Sequence, residues 1–191
     1  MLGIKYPIIQ GGMANIATGK FAAQVSNAGA LGLIASGGMN AEALEKEIAE
    51  CRKLTDKPFG VNLMLMNPDV DNIAQLLADE KIGIITTGAG MPGKYMGMWK
   101  ANGSKVIPVV ASTALARKVE QQGADAVIAE GGESGGHVGD MTTMTLVPQV
   151  IEKVSIPVIA AGGIATGKQF VAAMALGAVG VQIGTCLVGR G

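Results

Sequence analysis

Eight short apolar runs rich in β-formers recur along this chain, each ending in Gly, Asn, Ser or Thr, and the first seven give way to a stretch of different periodicity. The runs are YPIIQGGM (6–13), LGLIASGG (31–38), KPFGVNLML (57–65), IGIITTGAG (82–90), KVIPVVAS (105–112), DAVIAEG (125–131), IPVIAAGGI (156–164) and GVQIGTCLV (180–188). Between them lie segments with helical spacing at 19–30, 40–54, 69–81, 93–103, 113–123, 143–154 and 166–177, with Asn40 as the expected N-cap of the second. The runs are continuously apolar rather than alternating, as parallel strands buried on both faces must be. Eight strand-then-helix repeats predict an α/β chain of the (β/α)8 TIM-barrel class, with residues 1–191 as a single domain. An open doubly wound sheet is the structural alternative. Only GRG follows the last run, so no eighth helix is expected. Such barrels usually take roughly 250 residues. The chain therefore reads as a barrel shortened at its C-terminal end, with an uncovered apolar flank that favours association.

Composition narrows the function. Lys plus Arg and Asp plus Glu are each 15, a formal net charge of zero, so there is no basic footprint for nucleic acid or an anionic membrane. No apolar run is long enough to span a bilayer, and the N-terminus has no secretory pattern. Cys51 and Cys186 suggest neither a disulfide framework nor a metal site, and a cytoplasmic, reducing location is the default expectation. The 29 glycines, against 3% aromatic residues, point to tight strand-to-helix turns and close backbone approach to a ligand.

In a barrel the chemistry sits at the carboxyl ends of the strands. The residues falling there include Gln10, Gly11, Gly12 and Met13, then Ser36, Asn62, Thr87 and Ser112, the loop from Glu130 to His137, then Ala161, Gly162 and Gly163, and finally Gln182, Gly184 and Thr185. This rim is rich in glycine and neutral donors and holds no cluster at metal-ligand spacing. The chemistry is therefore expected from a cofactor that the protein positions. AAGGIATG (160–167) and QIGT (182–185) follow the seventh and eighth strands, where many barrels take phosphate on backbone N–H groups. A phosphate held without a basic cluster fits a phosphorylated cofactor such as FMN. QGGM (10–13) could lie beside an isoalloxazine edge, or be only a tight turn. Asn62 could bond a ring carbonyl or imide, or cap a turn, and Glu130 could hold a loop amide or touch ligand. The methionines of MLMNP (64–68) and Met91, Met96 and Met98 read most simply as packing. His137 is the sole imidazole, and so the one side chain that titrates near neutrality unperturbed. Its place in the glycine-rich GGESGGHVG (131–139) makes it the candidate acid or donor, with a structural histidine as the alternative.

Together YPIIQGGMA, LTDKPFGVNLMLM, TTGAGMPGKYM, VIPVVAS, GADAVIAEGGESGGHVGDMTTMTLVPQV and IPVIAAGGIATG resemble the flavin-dependent enoyl-acyl-carrier-protein reductase II family, related to the nitronate monooxygenases. The resemblance covers nearly the whole chain, and the long histidine block is its most specific part. It implies FMN held noncovalently in a barrel, reduced by NADH or NADPH, and an acyl carrier protein thioester as substrate. It places His137 at the active site and matches flavin contacts to Gly11, Gly12, Met13, Asn62, Gly135 and Gly136. It matches phosphate contacts to Gly162, Gly163, Gly184 and Thr185. Stimulation by a monovalent cation and a homodimer are also family traits.

Two departures stand beside the resemblance. The family usually continues for a further small domain that helps bind the nicotinamide, and many relatives have an arginine where this chain has Cys186. Three readings follow: the enoyl reductase; a nitronate monooxygenase with His137 as base; and an inactive flavin-binding fragment.

Overall fold

A computed structural model of the chain describes residues 1–136 and 139–188. The chain forms two compact units, Met1–Val106 and Ile107–Gly191. The first carries β1 (Ile8–Gln10), α1 (Gly19–Asn27), β2 (Gly32–Ala35), α2 (Ala41–Leu54), β3 (Phe59–Met64), α3 (Val70–Asp79), β4 (Ile84–Gly88) and α4 (Gly93–Ala101). The second carries most of β5 (Lys105–Val110), then α5 (Thr113–Gln121), β6 (Val127–Glu130), α6 (Thr143–Ile151), β7 (Val158–Ala161), α7 (Gly167–Ala175) and β8 (Gly180–Ile183). These are the strand–helix repeats of the (β/α)8 barrel class. After β8 only a 3-10 turn, Thr185–Leu187, is described. The predicted helices at 93–103 and 143–154 end two or three residues earlier than their sequence pattern.

Pairing within each unit is parallel and runs in chain order. In the first, Ile34 of β2 faces Val61 of β3, and Asn62 of β3 faces Thr86 of β4. In the second, Glu130 of β6 faces Ala161 of β7, which faces Gln182 of β8. Neither unit has the reversal of strand order that marks a doubly wound sheet. The strands are buried along their length because both faces are covered: Leu33, Ile34, Val61, Ile85, Val127 and Ile128 are all inaccessible to solvent.

One spacing recurs through the first unit. The Gly19 N–H, first in α1, donates to Glu47 Oε2 at 2.6 Å, and the Ala41 N–H, first in α2, donates to Asp69 Oδ2 at 2.7 Å. Each pair is separated by 28 residues, as are Ser36 with Met64, Met39 with Asn67, and Arg52 with its carboxylate partner Glu80. Carboxylates beside helix N-termini satisfy orphan N–H groups and oppose the helix dipole. Asn40 caps α2 as expected, accepting from Ala43 N at 2.9 Å.

The tightest packing is at Gly32, where a Cβ would stand 1.9 Å from the Ala22 carbonyl oxygen of α1. β2 and α1 approach so closely that only hydrogen fits. The partner is backbone and has no rotamer to yield. Gly32→Ala should therefore cost about 3 kcal/mol, the upper end of typical overpacking. A thermal or urea melt checks this.

Candidate functional site

The first unit contributes the carboxyl ends of β1 and β3. Gln10 is fully buried and works as a strand clamp: its Nε2 donates to Leu33 O at 3.0 Å and to Gly11 O at 2.8 Å, while its Oε1 accepts from Leu33 N at 3.1 Å. It leaves Gly11 buried, Gly12 exposed and Met13 half-buried at the strand's end. Gly12 lies directly on Asn62: a Cβ would stand 2.4 Å from that residue's Nδ2. Asn62 is half-buried, and the Thr86 hydroxyl donates to its Oδ1 at 2.8 Å. Thr86 thus takes the oxygen end of the amide and the nitrogen end lies against Gly12. Gly12 and Asn62, paired by the sequence only through the resemblance, are brought together. Thr87, next along β4, is fully buried with no hydrogen-bond partner for its hydroxyl among the described residues.

Within the second unit, considered by itself, the candidate residues lie at the ends of β6, β7 and β8. Glu130 ends β6 half-buried. Burial pushes its carboxyl above its ordinary value, and a hydrogen bond with the Ser134 side chain opposes this. That contact is with a loop side chain rather than the loop amide the sequence suggests. The loop doubles back at once: Gly131 N donates to Ala161 O at 2.9 Å, Gly132 N to Met141 O at 2.8 Å and Ser134 N to Gly131 O at 3.1 Å. Gly135 and Gly136 have open space where a Cβ would be, and Gly136 has φ +89°. His137 lies outside the described residues.

Glu133 and Thr143 form the junction of this region, and neither was singled out from the sequence. The Thr143 N–H, first in α6, donates to Glu133 Oε2 at 2.8 Å and Oε1 at 3.1 Å. Its hydroxyl lies 2.9 Å from Oε2, 3.1 Å from Ala161 O and 3.0 Å from Gly162 O. Burial alone would raise the Glu133 carboxyl. The Thr143 N–H, its own N–H and the Thr143 hydroxyl outweigh this and hold it below its ordinary value. Thr142 is the N-cap of α6 and makes no side-chain cap bond. The available signal was a carboxylate in a glycine loop shortly before a helix that opens with two threonines.

Gly162 and Gly163 follow β7 with φ of +107° and +69°. A Cβ on Gly162 would stand 2.6 Å from Thr143 Oγ1, and one on Gly131 would stand 2.2 Å from the same atom. These glycines are required by packing as well as by conformation. The N-terminus of α7 is closed by its own capping box: Gln169 Oε1 accepts from Ala165 N and Thr166 N, and Thr166 Oγ1 accepts from Gln169 N. Gln182 pairs with buried Ala161 in register. Gly184 and Thr185 start the turn after β8, and the Cys186 sulfur lies 4.0 Å from Ile164 O.

Among the described residues no group of three or more His, Cys, Asp and Glu side chains stands ready to hold a metal ion, and no helix is long and apolar enough to cross a membrane. Cys51 is fully buried, and burial pushes its thiol up to about 11, which removes it as a nucleophile.

The nitronate monooxygenase family model matches residues 1–80 and 70–190. The chain belongs to that family. Its fold superposes on FabK from Thermotoga maritima with a TM-score of 0.96 at 56% identity, covering 98% of this chain and 60% of that one. Nitroalkane oxidase from Streptomyces ansochromogenes gives a TM-score of 0.92 at 31% identity over 96% of this chain and 66% of its own. A curated relative from Rhodococcus jostii, (3aS,4S,5R,7aS)-5-hydroxy-7a-methyl-1-oxo-octahydro-1H-indene-4-carboxyl-CoA dehydrogenase, is 40% identical over 185 residues. The chain spans 52% of that dehydrogenase's length.

Glu130 offers a pH test. Its carboxyl sits above its ordinary value in the folded state, so the fold binds that proton more tightly than the unfolded chain does. Stability is lost as pH rises from the unfolded value through the folded one, and the loss persists above both. Glu130→Gln should therefore melt higher than the parent chain at pH 7, with the difference fading below about pH 4. Melting curves across that range decide it.

Proposed function

We propose that this chain is the barrel of an FMN-dependent enoyl-acyl-carrier-protein reductase, which uses NADH or NADPH to reduce the trans-2 double bond of enoyl thioesters in fatty acid synthesis. The observation that carries the reading is the 56% identity to FabK over 98% of the chain, against 31% for the nitroalkane oxidase and 40% for the CoA-thioester dehydrogenase. An acyl carrier protein thioester as substrate, a homodimer, stimulation by a monovalent cation and a cytoplasmic setting go with it.

The residues present fit FMN. In the second unit, Gly162 and Gly163, with Gly184 and Thr185, would take the phosphate on backbone N–H groups, and the positive φ of the two β7 glycines supports such a cradle. Gln182 and Ala161 would back it, and Gly135 and Gly136, with open space beside them, would let the loop lie against a flat ring. In the first unit, Gly11, Gly12 and Met13 would supply backbone at a ring edge, and Asn62, its oxygen taken by Thr86, would turn a donor to a ring acceptor. Bound FMN would supply the two-electron chemistry: hydride accepted from the nicotinamide and delivered to the β-carbon of the enoyl thioester.

The protein's share is positioning and a proton. Reduction of the double bond adds hydride at the β-carbon and needs a proton at the α-carbon. His137 would give it, being the one imidazole in the chain. The alternative reading, oxidation of alkyl nitronates with oxygen, draws on the family model and the nitroalkane oxidase likeness. There His137 would be a base.

Crotonyl thioester with NADH or NADPH, mixed with the flavin-loaded protein without oxygen, should be reduced. Turnover of a nitronate with oxygen, and none of the enoyl thioester, would reverse the assignment. His137→Gln should keep FMN bound and slow thioester reduction by about 100-fold or more, the usual worth of a general acid. Loss of flavin and activity together would make the imidazole structural.

A further inference from the structure

We infer that Thr143, oriented by Glu133, is a positioning residue that sets the Gly162–Gly163 turn to receive the phosphate of the flavin. The inference deepens the FMN reading above and rests on it. Three oxygens surround one hydroxyl: Glu133 Oε2 at 2.9 Å, Gly162 O at 3.0 Å and Ala161 O at 3.1 Å. Glu133 already holds a charge-assisted bond from the Thr143 N–H at 2.8 Å. The single hydroxyl proton can go to one of these oxygens at a time, and with the carboxylate already bonded by that N–H, the two carbonyls of the turn are within its reach. Thr143 is buried, so no water competes freely for that place.

The consequence follows from the planarity of the peptide. No cis peptide bond is present, so each N–H points opposite to the carbonyl of the residue before it. With Ala161 O and Gly162 O turned toward Thr143, the N–H groups of Gly162 and Gly163 are turned away from it. Two consecutive donors on one side of a turn with positive φ form a concavity suited to an anion. Space enforces the arrangement. Gly131 and Gly162 both lie where a Cβ would meet Thr143 Oγ1, at 2.2 and 2.6 Å, so the turn is seated directly on that hydroxyl. Glu133 lies beside the turn too, its Cβ 3.2 Å from where a Gly163 Cβ would stand. Its charge alone would repel a phosphate. Its service is mechanical, fixing Thr143 and the first turn of α6.

Riboflavin, which lacks the phosphate, separates positioning from general structure. The full 191-residue chain is stripped of flavin and titrated with FMN and with riboflavin, with affinity read from quenching of flavin fluorescence. Thr143→Val should weaken FMN about tenfold, in line with a lost buried hydrogen bond, and leave riboflavin nearly unchanged. Thr143→Ser, which keeps the hydroxyl, should restore the preference for FMN. Glu133→Ala, at an exposed side chain, serves should the valine variant fail to fold: it too should lower the preference. An equal loss of FMN and riboflavin in Thr143→Val would make the residue merely structural and overturn the proposal. So would a gain of FMN affinity in Glu133→Ala, the sign expected if only charge mattered. A parent chain that binds neither flavin overturns the FMN reading itself. A parent that binds FMN, with a valine variant that binds it equally, overturns only the role of Thr143.

Discussion

Every α-helix begins with N–H groups that its own backbone cannot satisfy, and a barrel built from successive helices meets that demand again and again. At three of the helices part of the answer is a carboxylate from outside the helix. Glu47 serves α1, Asp69 serves α2 and Glu133 serves α6. Helix starts in this fold class lie on the same edge as the carboxyl ends of the strands, where ligands bind. Capping thus decides which N–H groups remain to meet a ligand. At α6 the first N–H is spent on Glu133, and at α7 a capping box takes the N–H groups of Thr166 and Gln169. The glycine turn after β7 keeps its donors.

The repeat pattern and the parallel strands were legible in the sequence because each rests on local chemistry. Continuous apolar runs announce strands covered on both sides, and Asn40 announces a helix start by its own side chain. Glycines were legible only as a class. Sequence shows that Gly12, Gly131 and Gly162 lack a side chain. It does not show that Gly12 makes room for Asn62 while Gly131 and Gly162 make room for Thr143. Those reasons live in contacts between residues far apart in the chain.

The same limit explains what was missed. Glu133 sits in the glycine loop beside His137 and was read past, since a carboxylate there has no periodicity to betray it. Thr143 was taken as one residue of a helix. Only the fold brings its hydroxyl within 3.1 Å of oxygens from β7 and from the loop. For Glu130 the sequence offers a loop amide or a ligand, and the partner in the fold is instead the Ser134 side chain.

The spacing of 28 residues between clasped partners in the first unit also bears on how such a chain finds its fold. The entropy lost on closing a loop grows only with the logarithm of its length, so clasps of equal span carry equal closing costs. No repeat in that unit waits on a longer closure than its predecessor, and each can form against the one beside it. Contacts of modest and uniform sequence separation favour quick folding over the slow search that distant pairings impose. A parallel sheet would otherwise be a slow topology. Clasps of equal span, two of them carboxylates on helix N–H groups, keep the loops closed in that unit similar in length.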